Sequence, residues 1–172
     1  MIIHLVRHAE AIEQSPDIPE EHRYLTSRGR NRFRKVASSI KKLGIKPDLI
    51  LTSPLIRSVQ TAEILAQRLK HKGDLLVSAL LAPGFGPQKL DELLQEYPLA
   101  REIALVGHEP DLGGVAQTLL GVDAACILKK GAMISFKRAA GQEDGADFIQ
   151  LVEGGGKIVT SRSKALDRLL NA

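Results

Sequence analysis

The stretch LVRHAEA, residues 5–11, sets an arginine beside a histidine where a short apolar run ends. A guanidinium offers a planar fork of N–H donors that matches phosphate oxygens. An imidazole can act as acid, base or nucleophile near neutral pH. Arg7 and His8 therefore suit an anion site with a chemical participant in it, although the dipeptide alone equally describes a basic loop. Two later segments supply partners: TSPLIR (52–57) brings Arg57, and VGHEPD (106–111) brings His108. Held together, the four suit phosphoryl transfer. His8 is the candidate nucleophile towards phosphorus, and Arg7, Arg57 and His108 are placed to hold the charge spread over the transferring oxygens. Arginines beside His8 disfavour its imidazolium form and so preserve the lone pair.

These residues can meet only if their segments end at one edge of one sheet. IIHLV (2–6), DLILT (48–52) and EIALV (102–106) are compact apolar runs of the kind found in strands buried on both faces. LLVSAL (75–80) makes a further strand. Between them lie helical patterns. One runs from Ser27 to Leu43, with Thr26 as N-cap and Gly44 as the stop. Another opens at Ser53–Pro54, a third spans Lys89 to Glu96, and a fourth runs from Pro110 to Leu120. AMISFKR (132–138) and ADFIQLV (146–152) read as two strands joined by a Gly-rich turn, and SKALDRLL (163–170) as a terminal helix. The alternation predicts a single α/β domain over residues 1–172, with a largely parallel central sheet, helices on both faces and an antiparallel edge. Ligands of open α/β sheets sit at the carboxyl ends of the strands. Arg7, His8, Arg57 and His108 fall at such ends.

Composition narrows the function classes. The formal charge of +4 is mildly basic, but the cations are scattered, and aromatics are only 3%, which leaves few platforms for stacking bases. No nucleic-acid partner is expected. MIIHLV is too short for a membrane span or a signal peptide, and Cys126, the only cysteine, excludes an internal disulfide. A soluble, cytoplasmic protein with no membrane partner is expected. His4 and His8 are four apart on a strand rather than a helix, and HExxH and Cys–His clusters are absent, so no metal site is expected. His4 reads as a core residue, His22 and His71 as solvated, and Cys126 as a small buried side chain. EGGGKIV (153–159) lacks the spacing of a phosphate-binding loop and reads as an ordinary loop, as does GFGP (84–87). The Lys pairs at 41–42 and 129–130 read as solvated charge.

LVRHAEA, LTSRG, LILTSPLIRSVQTAE and ALVGHEPDL resemble, in this order, blocks of the histidine phosphatase superfamily, which has the phosphoglycerate mutase-like fold. The shortness of the chain and the RHAEA and LTSRG variants are most similar to its small SixA-type phosphohistidine phosphatase branch. The resemblance spans residue 2 to about 120. It implies that His8 is the phosphorylated nucleophile, that Arg7, Arg57 and His108 complete the phosphate pocket, and that neither metal nor cofactor is needed. Ala9 stands where much of the superfamily has glycine. Many members also carry a catalytic carboxylic acid just after the third strand, whereas SALLAPGFG (78–86) has none here.

The expected activity is hydrolysis of phosphohistidine on a protein, such as a phosphohistidine-bearing signalling domain, through a phosphohistidine enzyme intermediate. A phosphatase of small metabolites or sugar phosphates is the nearest alternative. A non-catalytic phosphoprotein-binding module is an alternative of another class, and it would need the arginines but not His8. The missing acid separates the two phosphatases. An alkyl phosphate expels a basic alkoxide and needs a proton donor, whereas imidazole leaves readily. His108 and Glu10 are the remaining candidate donors.

Overall fold

The computed structural model describes residues 1–139, 142 and 145–171. Among these residues one seven-stranded sheet forms the centre, in the order β3-β2-β4-β1-β5-β6-β7. The strands are β1 (Ile2–Arg7), β2 (Leu49–Thr52), β3 (Asp74–Val77), β4 (Glu102–Gly107), β5 (Met133–Lys137), β6 (Asp147–Val152) and β7 (Ile158–Val159). The helices are α1 (Ser27–Lys42), α2 (Ile56–Leu69), α3 (Pro87–Glu96), α4 (Asp111–Leu120) and α5 (Arg162–Leu170). No helix among the described residues is long and apolar enough to cross a membrane.

β1, β2, β3 and β4 run parallel, while β5, β6 and β7 are antiparallel. Alternation along the buried strands divides the core into two layers. Ile3, Leu5, Leu51 and Leu105 pack with α3, α4 and α5 on one face; Val6, Ile50, Ala104 and Val106 pack with α1 and α2 on the other. Both faces are covered, as a parallel sheet requires.

The antiparallel part is larger than the expected pair of strands. β7 extends it by two residues, inside the stretch expected to be a loop. Two residues are too few to show an alternation, and the glycines before them hide the strand. The Gly-rich turn before β6 lies partly outside the described residues, at 140, 141, 143 and 144. β3 ends at Val77 rather than at residue 80, because Ala79–Leu81 form a 3-10 turn.

The LTSRG block has a physical explanation. The Thr26 hydroxyl accepts from the Gly29 amide at 2.9 Å and caps α1, as expected. Gly29 carries no Cβ because one would lie 2.1 Å from the Glu10 carbonyl oxygen. That close approach, with Thr26 N–H donating to the same carbonyl at 3.0 Å, anchors the segment after β1 on the start of α1.

Candidate active site

The sheet order puts β2, β4 and β1 side by side, so their carboxyl ends share one edge. Arg7 pairs in register with Gly107, and the next residues of the two strands are His8 and His108. The His8 amide donates to the Gly107 carbonyl at 3.0 Å, and the Ser53 amide to the Val106 carbonyl at 2.9 Å. The two imidazole rings lie 5.3 Å apart, centre to centre. Arg57 comes from the first turn of α2, which begins at Ile56, slightly later than Ser53–Pro54 suggests. Arg7 and Arg57 are both close enough to His8 for their charges to act on it. All four sequence-derived candidates are therefore brought together.

His8 is 8% exposed, and its Nδ1 lies 2.7 Å from the Ala9 carbonyl oxygen. A carbonyl can only accept, so Nδ1 carries the proton and donates. The lone pair is then on Nε2. Burial pushes the His8 pKa down to about 3. The charges of His108, Arg57 and Arg7 push the same way, and the Ala9 carbonyl pushes back. The arginines thus contribute as expected, but desolvation is the larger cause. His8 is neutral at pH 7, with an unencumbered nitrogen.

His108 is 5% exposed. Its Nε2 is 2.6 Å from Ser53 Oγ, with Ser58 Oγ at 3.4 Å. Burial, then the Arg57 charge, lowers its pKa to about 4. Arg7 Nη1 donates to the Leu128 carbonyl at 2.6 Å. Among the described residues, two buried side-chain polar atoms have no hydrogen-bond partner, and they are Arg7 Nε and His108 Nδ1. Buried donors are nearly always satisfied in folded proteins. Both atoms belong to residues of this site.

Residues outside the sequence motifs complete the site. Arg57 Nη1 donates to the Glu20 carbonyl oxygen at 2.8 Å, and Nη2 lies 2.9 Å from Glu20 Oε1. Arg23 donates to both Glu20 carboxylate oxygens. Burial opposes ionisation of Glu20, but the Arg23 hydrogen bond and the Arg57 charge hold its carboxyl below the ordinary range. The Thr61 hydroxyl donates to the Arg57 carbonyl at 2.7 Å and accepts from the Ala9 amide at 3.0 Å, tying the start of α2 to the His8 segment. Glu109 Oε1 accepts from the Leu128 amide at 3.3 Å, steadying the carbonyl that holds Arg7. Burial raises the Glu109 pKa, and the Arg7 charge opposes this.

Glu10 is turned away as a proton donor. Its carboxylate accepts from Thr26 Oγ1 at 3.2 Å and faces Arg28 and Arg32 of α1. In the SALLAPGFG segment, the Gly84 and Phe85 amides donate to Asp111 Oδ2 at 2.7 and 3.2 Å. His4 is a core residue, 2% exposed, with Ser135 and Glu102 on its two nitrogens. Cys126 is buried and free. No group of three or more His, Cys, Asp or Glu among the described residues is placed to hold a metal ion.

Residues 3–79, which hold Arg7, His8 and Arg57, match the histidine phosphatase superfamily (branch 1). An uncharacterised protein of Picosynechococcus is 33% identical over 155 residues, covering 81% of this chain and 87% of that protein. The chain belongs to the histidine phosphatase superfamily. Its fold is similar to that of the protein histidine phosphatase SixA complexed with tungstate, with a TM-score of 0.79 and 20% identity over 90% of this chain and 97% of that one. It is also similar to an α-ribazole phosphatase from Shigella flexneri, with a TM-score of 0.66 and 17% identity over 94% of this chain and 97% of that one. Membership supports phosphatase activity for this superfamily member. His108 lies beyond the matched residues, and the β1–β4 register is what brings it to His8.

Proposed function

We propose that the protein hydrolyses phosphohistidine on a protein substrate, without a metal ion, through a phosphohistidine formed on its own His8. The observation that carries this reading is the His8 ring: neutral, buried, fixed by Nδ1–H to the Ala9 carbonyl, with Nε2 free beside two arginines and a second histidine.

In the first step Nε2 attacks phosphorus while the substrate N–P bond breaks. Protonation of the substrate's other ring nitrogen lets it leave as neutral imidazole. Arg7 and Arg57 contact the equatorial oxygens as they gather charge. In the second step water attacks the phosphoryl group on His8, the new N–P bond breaks, and the lone pair returns to Nε2. Glu20 must yield its hold on Arg57 for the substrate to use that guanidinium fully.

The substrate class follows from the leaving group. A positioned general acid contributes about 10²–10⁴-fold where an alkoxide must leave. The segment after β3 has no carboxyl side chain, Glu10 points to α1, and Glu20 is held as an anion. Imidazole needs no such donor. Likeness to the α-ribazole phosphatase fold keeps a phosphatase of small metabolites as the second reading. Specificity constants for a phosphohistidine peptide and for a panel of alkyl and sugar phosphates test the choice. The phosphohistidine peptide is expected to exceed every alkyl phosphate. An alkyl phosphate that equals or exceeds it overturns the reading in favour of the metabolite phosphatase. No phosphate release from any substrate, with binding retained, would favour the non-catalytic module.

A further inference from the structure

Beside the phosphate pocket lies an open cleft of about 500 Å³, walled by α1, the 127–131 loop, the glycine turn 154–156 and α5. Its charged lining is uneven. It is lined by Arg7, Arg32, Lys129, Lys130, Lys157 and Arg168. Among the described residues of the lining, Glu10 and Glu153 alone oppose these six cations. The lining therefore carries a surplus of four positive charges. Basic side chains far apart in the sequence are gathered on this surface.

The two acidic groups do not use up the cations. Glu153, 8% exposed, lies 3.9 Å from both Lys129 Nζ and Arg168 Nε, and Glu10 lies 4.0 Å from Arg32. These separations exceed hydrogen-bond length, so the donors are not consumed. Lys130 and Lys157 have no carboxylate within 4.0 Å among the described residues, and both are exposed. The glycine turn packs closely on α1. A Cβ on Gly156, whose φ is +86°, would lie 2.3 Å from Ser39 Oγ. EGGGKIV is thus a wall of the cleft.

The cleft is mechanically joined to the phosphate pocket. The Gly131 amide donates to the His8 carbonyl at 3.1 Å, and Leu128 holds Arg7 through its carbonyl. Arg7 and Ala9, the residues on either side of His8, both line the cleft.

From this placement we propose that the cleft binds an acidic polypeptide segment flanking the phosphorylated residue of the substrate. The proposal rests on the phosphatase assignment above. Charge complementarity calls for an anion, and the apolar parts of the cleft indicate which kind. Ile127, 42% exposed, offers an aliphatic contact at the rim. Phe33, the aromatic residue of the lining, is 1% exposed and cannot stack on a base. Carboxylates interspersed with aliphatic side chains fit this surface better than a nucleic-acid backbone does.

The experiment uses the full chain and the triple variant Lys129→Ala, Lys130→Ala, Lys157→Ala, none of which belongs to the phosphate pocket. Three readouts are taken: turnover of phosphoramidate, a small substrate that cannot reach the cleft; kcat/KM for phosphohistidine peptides with glutamate–leucine or serine–glycine flanks; and binding of the unphosphorylated glutamate–leucine peptide. The parent is expected to prefer the acidic peptide by about tenfold at low salt, mainly through KM, and the variant to lose that preference. Phosphoramidate turnover should be equal in the two proteins, which also reports that the variant is folded. Equal kcat/KM for both peptides in the parent, or an undiminished preference in the variant, overturns the proposal. Stronger competition by an oligonucleotide than by the acidic peptide also overturns it, in favour of a nucleic-acid surface. Absence of phosphoramidate and peptide turnover with acidic-peptide binding intact would instead refute the phosphatase assignment and leave the cleft standing.

Discussion

Lowering the pH from about 8 to about 5 in an oxyanion-free buffer will cost the folded protein about 4 kcal/mol through His8 and His108 alone. Both imidazoles are depressed from an ordinary 6.5, His8 to about 3 and His108 to about 4, chiefly by burial. Their exposures are 8% and 5%. Below pH 6.5 the unfolded chain takes up a proton at each histidine while the folded chain does not, so stability falls as the pH falls. Each unit costs about 1.4 kcal/mol per histidine, or about 2 kcal/mol each over the 1.5 units from 6.5 to about 5. The carboxyls with lowered pKa, those of Glu20, Asp48 and Glu102, release their contribution only below their ordinary values of 4.5, 3.8 and 4.5. Glu109, raised by burial, acts with the opposite sign and is common to every variant compared. Urea denaturation at the two pH values, each protein against itself, isolates the effect. His8→Asn and His108→Asn should each remove about 2 kcal/mol of the acid loss, and the double variant about 4 kcal/mol. An acid loss unchanged in the double variant would refute the assignment of two buried neutral imidazoles.

Other outcomes follow from the same geometry. Arg57→Lys should lower kcat/KM by about 10-fold or more, because an ammonium cannot reproduce the planar fork; parity with the parent in steady-state assays would remove Arg57 from the transition state. Glu20→Gln should strengthen competitive inhibition by inorganic phosphate by about fivefold, since the partly exposed carboxylate on Arg57 no longer competes with the anion; an unchanged or weaker inhibition constant would make Glu20 a support for Arg57 instead. Activity should survive EDTA, and loss on chelation that a divalent ion restores would redirect the mechanism to metal chemistry.

Much of the site was legible because its residues sit where apolar runs stop. β1, β2 and β4 are buried on both faces, so IIHLV, LILT and EIALV announce themselves, and Arg7, His8 and His108 are conspicuous at their ends. Arg57 needed only the strand-to-helix junction after β2. The partners that tune these residues left weaker traces. Glu20 reaches Arg57 from a loop 37 residues earlier, and no periodicity encodes that contact. Glu10, next but one to His8, looked like a proton donor until the Thr26 cap and Arg28 were seen to draw it to α1. Ser53 read as a helix start, yet its hydroxyl faces His108. The basic cleft draws one or two cations from each of several elements, so no window of the sequence shows it.

The central claim is that His8 Nε2 carries the phosphoryl group between substrate and water. Rapid-quench mass spectrometry during turnover of a phosphohistidine peptide, kept neutral to alkaline to preserve the N–P bond, tests it directly. The account predicts a phosphoryl group on the peptide containing His8, appearing before free phosphate and decaying as substrate is exhausted, and loss of both signals in His8→Ala. Phosphate release that continues near the parental rate in His8→Ala, or a phosphoryl group on another residue with none on His8, would contradict it.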